Sequence, residues 1–72
     1  MIMVDSSMVK SIGYDGDNRM LFMRFNNDTL FRYKNVPYSE YDRLINAVSV
    51  GTYFNSKIKN VYEYDRLDDR GV

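Results

Sequence analysis

Between Ser49 and Lys59 the chain reads Ser-Val-Gly-Thr-Tyr-Phe-Asn-Ser-Lys-Ile-Lys, which sets hydroxyls, a glycine, a tyrosine and two lysines within one short span. Ser49 and Thr52 straddle Gly51 where a helix would start, so their hydroxyls and the first-turn amides are suited to an anionic group. Tyr53 offers a flat face for stacking on a base, and Asn55, Lys57 and Lys59 follow with an amide and two cations. Ser49, Gly51, Thr52, Tyr53, Asn55, Lys57 and Lys59 therefore form the first candidate site, and its chemistry is capture of a phosphate-bearing ligand. The same residues also suit a plain capped helix packed by Tyr53 and Phe54, because Ser and Thr are ordinary caps.

Arg24, Arg32 and Lys34 make a second candidate, a basic face on neighbouring strands. Tyr62 and Tyr64 alternate with Glu63 and Asp65 and form a possible stacking pair on an edge strand, or a cap on the core. Ser6-Ser7 reads as a turn before a strand. Reaction chemistry is sparse, since the chain has no Cys, no His and no Trp. That removes thiolate and imidazole metal ligands, cysteine and Ser-His nucleophiles, and the usual proton shuttle near neutral pH. Glu40, Asp42, Glu63 and Asp65 show no spacing that sets them apart from surface charge. A binding module without catalytic residues, metal or cofactor is the expectation.

Seven Tyr and four Phe in 72 residues, with ten basic and ten acidic residues, describe a small aromatic domain of zero formal charge. A module that tracks long nucleic acid is usually strongly basic, so neutrality favours a compact ligand such as a nucleotide or short oligonucleotide. Seventy-two residues lie near the lower limit for a core unaided by disulfides or zinc. A homo-oligomer is therefore expected. The apolar start, Met1 to Val4, soon meets Asp5, Ser6 and Ser7, too short a run for a signal peptide or membrane span. A cytoplasmic protein with no membrane partner follows as the expectation.

These side chains need elements to position them. Met8 to Tyr14 reads as a strand ending at the turn Asp15-Gly16-Asp17-Asn18. Arg19 to Phe25 places Leu21, Met23 and Phe25 on one face and Met20, Phe22 and Arg24 on the other. Apolar bulk on both faces marks Met20 and Phe22 as a candidate oligomer interface. Asn26-Asn27-Asp28 turns the chain into Thr29 to Lys34, with Phe31 and Tyr33 opposite Arg32 and Lys34.

Val36-Pro37 ends the strand, and a helix follows, with Ser39 as its expected N-cap and Asp42 completing a capping box. Tyr41, Leu44, Ile45 and Val48 make its apolar stripe. Ser49 and Gly51 interrupt it before a shorter helix over Thr52 to Lys57. Asn60 to Leu67 is expected to return as an edge strand, and Asp65, Asp68 and Asp69 with Arg66 and Arg70 as a solvated tail. The fold class is α+β: one domain over residues 1–72, an antiparallel three- to four-stranded meander packed against a main helix and a short second helix.

With the elements placed, Ser6-Ser7, Ile12-Gly13-Tyr14-Asp15, Phe31-Arg32-Tyr33, Val36-Pro37, Tyr41, Ala47 with Ser49 and Gly51, and Tyr53-Phe54-Asn55 with Ile58 resemble the KTSC domain family. The resemblance covers nearly the whole chain. Asp28 stands where the family usually has Gly in a turn, and Val50 where it tends to have Lys. The family includes stand-alone modules and a module appended to a lysyl-tRNA synthetase, which implies a role in RNA metabolism. Three functional expectations stand side by side. One is a stand-alone, phage-type sponge that sequesters a signalling nucleotide; the second is an RNA-binding module; the third is a structural or protein-interaction module.

Overall fold

Short β-prone runs joined by two tight turns give the centre of the sheet. In the computed structural model, which describes residues 2–3 and 8–67, β1 is Ile2–Met3, β2 Val9–Asp15, β3 Met20–Phe25 and β4 Leu30–Tyr33. Two helices follow, α1 at Tyr38–Ile45 and α2 at Val50–Lys57, and β5 at Tyr64–Arg66 closes the order. All strand pairs are antiparallel, in spatial order β1-β2-β3-β4-β5. The α+β meander is as the sequence reading has it. The Ser6-Ser7 pair and the tail residues Asp68, Asp69 and Arg70 lie outside the described residues.

Turn chemistry sets the register. Asp15 Oδ1 accepts from the amides of Asp17 and Asn18 at 3.1 and 3.4 Å, and its Oδ2 from the Asn18 side-chain amide at 2.9 Å. The Asn18 side-chain bond is the main cause holding the Asp15 carboxyl below the usual carboxylate range. Asp28 sits at φ 67° in the β3–β4 turn, the left-handed conformation a short polar side chain tolerates where glycine is common. The resulting register aligns Ile12, Met23 and Phe31 in one row and Tyr14, Leu21, Tyr33 and Tyr64 in another. Between them, Gly13, Phe22, Arg32 and Asp65 form a row on the opposite face.

Ile12, Leu21, Met23 and Tyr33 from the first face join Val9, Val36, Leu44, Phe54 and Ile58 in one buried core. Burying one such side chain fully contributes roughly 1.5–3 kcal/mol. Met20 and Phe22 lie half-buried on the other face.

Four expectations need correction. Ser39 is not the cap: Pro37, extended at φ −70° and ψ 153°, takes that position, and its carbonyl accepts from Glu40 N at 3.0 Å. Ser39 is exposed inside the first turn. Val48 is fully exposed rather than part of the stripe, because α1 ends at Ile45 and Asn46 caps it. The second helix is no shorter than the first, since both span 8 residues. The last strand is Tyr64–Arg66 alone, because Asn60 at φ 69° diverts the chain and leaves Tyr62 before the strand.

The caps can be tested directly. Ser49 is the capping residue of α2, its Oγ accepting from Thr52 N at 3.3 Å. Ser49→Ala is expected to cost about 1 kcal/mol in chemical denaturation, while Ser39→Ala changes stability by only a few tenths. Equal losses in the two variants would contradict the assignment.

Candidate functional site

Helical spacing puts Ser49, Thr52, Tyr53, Ser56 and Lys57 on one stripe of α2. Together with Ala47 and Val48 from the α1–α2 connection they line an open groove of about 340 Å³. Ser49 Oγ also donates to Thr52 Oγ1 at 3.0 Å, so the two hydroxyls form a linked pair at the helix start. Tyr53 N donates to Ser49 O at 3.0 Å and continues the turn. Lys57, in the last turn, makes no ion pair among the described residues and is exposed. The structure thus brings Ser49, Thr52, Tyr53 and Lys57 together. Gly51 lies in the first turn outside the groove lining, and Asn55 and Lys59 line a separate groove with Phe54.

The basic sheet face is arranged differently, because its cations already have partners. Asp65 Oδ2 lies 2.7 Å from Arg32 Nη2 and 3.1 Å from Lys34 Nζ. Arg32, first, and then Lys34 hold the Asp65 carboxyl below the usual carboxylate range. Arg24 Nη1 donates to the Asp28 carbonyl at 3.1 Å, and Lys10 Nζ lies 2.9 Å from Asp28 Oδ1. An anionic ligand would compete there with carboxylates of the chain itself.

A cluster that sequence reasoning missed anchors Tyr53. Glu40 of α1 accepts hydrogen bonds from the Tyr53 hydroxyl and, at 3.1 Å, from the Tyr62 hydroxyl. Burial, and next the hydrogen bond to Glu40, pushes both phenols above their ordinary range, with Arg43 acting in the opposite sense on each. Glu40 was indistinguishable from surface charge by spacing, since its partners lie 13 and 22 residues away. Its effect is to tie α1 to α2 and to fix the ring that lines the groove. Tyr62 is committed to this tether, while Tyr64 is exposed on β5 with its ring 5.5 Å from Phe31 and 5.4 Å from Tyr33. The two therefore do not form one stacking plate.

One residue along α1 from Glu40, Tyr41 stacks on Tyr14 at 4.9 Å, and the Tyr14 hydroxyl donates to the Val36 carbonyl at 2.6 Å. Among the described residues there is no group of three or more His, Cys, Asp or Glu able to hold a metal, and no helix long and apolar enough to cross a membrane.

Comparison with known proteins places this geometry. Residues 5–62 match the KTSC domain. The crystal structure of a KTSC domain protein from Yersinia pestis superposes with a TM-score of 0.89 at 36% identity, covering 92% of this chain and 93% of that one. An uncharacterized protein of Stutzerimonas stutzeri is 35% identical over 68 residues, 93% of this chain and 96% of the relative. A lysine–tRNA ligase of Trichormus variabilis is 32% identical over 63 residues, which are 88% of this chain and 11% of the ligase. With the match covering most of its length and sheet and helices superposing as they do, the chain belongs to the KTSC domain family.

Proposed function

We propose that the chain is a non-enzymatic module that holds a compact phosphate-bearing ligand, a nucleotide or short oligonucleotide, along the α2 groove. The observation that carries this reading is the position of Lys57. It stands without an ion pair among the described residues beside the Ser49–Thr52 hydroxyl pair and Tyr53, whereas Arg32 and Lys34 are engaged by Asp65. Lys57 supplies charge for a phosphate, the hydroxyls supply short-range bonds, and Tyr53 with Ala47 and Val48 supplies apolar surface for a base. A module of this kind lowers the free concentration of a signalling nucleotide by holding it, as a sponge does. Met20 and Phe22, half-buried on the sheet face away from the helices, are the surface through which copies would associate.

RNA is the second reading, supported by the likeness to part of lysine–tRNA ligases. Salt separates the two. Affinity for a backbone-tracking RNA falls steeply with salt, while a groove contacting one or two phosphates loses much less.

In calorimetric titrations with nucleotides and short RNA, Lys57→Ala is expected to weaken binding roughly tenfold, the scale of one charge-assisted hydrogen bond. Lys34→Ala should leave it unchanged. If Lys34 matters and Lys57 does not, the ligand lies on the sheet face with Arg24 and Arg32.

A further inference from the structure

Glu40 reaches the α2 groove from α1 without lining it. Its carboxylate accepts from the Tyr53 hydroxyl and, at 3.1 Å, from the Tyr62 hydroxyl, so one side chain of α1 holds two rings from later in the chain. Tyr53 lines the groove, and Glu40 and Tyr62 do not. Both bonds are part-buried, where a charge-assisted hydrogen bond is stronger than in open water.

That bond decides what Tyr53 can offer a ligand. A phenol has one proton to give, and here it goes to Glu40, which leaves the ring itself. The Ser49 hydroxyl is committed in the same way to Thr52 Oγ1 at 3.0 Å, so the Thr52 proton and Lys57 remain for an anion. Ala47 and Val48 carry no polar side chain, and the Ser56 hydroxyl, which both donates and accepts, suits either kind of base edge. Among the described residues, the lining therefore presents no fixed pattern of donors and acceptors that would tell one base from another.

We infer that Glu40 is a positioning residue for the α2 groove, holding Tyr53 as a fixed stacking face, and that the site recognises a nucleotide by its phosphate while tolerating any base. This assignment rests on the groove being a nucleotide site, as proposed above, and adds how that site selects. Stacking is tolerant because every base has a flat face. A ring already ordered by Glu40 loses little freedom when a base settles on it, whereas immobilising a free side chain on binding subtracts from affinity.

Calorimetric titration of the full chain with AMP, GMP, CMP, UMP and adenosine tests this. The four monophosphates are expected to bind within about tenfold of one another, and adenosine at least about tenfold more weakly than AMP. Glu40→Ala and Tyr53→Phe should each weaken AMP severalfold, and the double variant no more than either alone, because both remove the same bond. Glu40→Gln keeps an acceptor oxygen and should restore binding. Tyr62→Phe removes the other bond to Glu40, outside the groove, so it should lower the melting temperature and leave AMP affinity intact. Affinity losses that follow the melting temperature alike in Tyr53→Phe and Tyr62→Phe would overturn the positioning role, as would unchanged binding in Glu40→Ala. A preference for one base beyond the expected range would overturn the tolerance. If no monophosphate binds, or binding ignores Lys57→Ala, the nucleotide reading of the groove falls and this assignment with it.

Discussion

Phe54→Ala is expected to remove most of the stability of the fold. Phe54 is 3% exposed and is the ring through which α2 meets the sheet, touching Phe25 and Tyr33 edge-to-face. Truncating a buried Phe costs roughly 3–5 kcal/mol, from lost transfer energy and the cavity left behind. Small single-core domains sit at the low end of the roughly 5–15 kcal/mol typical of folded proteins. In thermal denaturation the melting temperature should fall by upwards of about 12 °C, using roughly 4–8 °C per kcal/mol for domains of this size. Tyr53→Ala, one residue earlier and only partly buried, should fall less. A Phe54→Ala variant melting within a few degrees of the parent would show that α2 is not seated on the sheet through this ring.

Alkaline conditions should produce the second large effect. Burial, with the neighbouring Tyr64 adding to it, raises the Tyr33 phenol from 10.0 to about 12. Burial likewise raises Tyr41, with Tyr38 second, and raises Tyr53 and Tyr62, with Glu40 second. In the unfolded chain these phenols lose their protons near 10.0, while the folded chain still holds them. The unfolded state then binds fewer protons, so stability is complete below about pH 10 and falls as pH rises through the folded values. Denaturant midpoints should be level from about pH 7 to 9 and decline toward about pH 12, with Tyr33→Phe flattening part of the decline. A midpoint near pH 11 equal to that at neutrality would contradict the environments described for these tyrosines.

Much of the fold was legible because short β-prone runs lie between turns rich in Asp, Asn and Gly. Leu21 and Met23 against Met20 and Phe22, and Tyr33 against Arg32, divide between faces as period-two spacing requires. The β1 strand was not legible, since a two-residue strand carries no periodicity to read. Ser39 misled because Ser is a good cap wherever the backbone offers the position, and Pro37 had already taken it. The candidate site was half legible. Ser49, Thr52, Tyr53 and Lys57 follow helical spacing and meet, while Asn55 and Lys59 are near in sequence but turned away. The Glu40 tether to Tyr53 and Tyr62 and the packing of Phe54 on Phe25 and Tyr33 depend on tertiary contacts between segments that no local pattern relates.

The sequential order of the sheet bears on how the chain folds. From β1 to β4 each strand pairs with its neighbour in sequence, so those contacts close short loops at little entropic cost. The β4–β5 pairing is the exception, since Arg32 and Asp65 are separated by 33 residues that include both helices. A nucleus of β2, β3 and β4 can therefore form early and rapidly, with β5 zipping on after the helices have docked. Native-state hydrogen exchange should show the same hierarchy in reverse, with the Tyr64–Arg66 amides exchanging through a low-energy opening while Met23 stays protected until global unfolding.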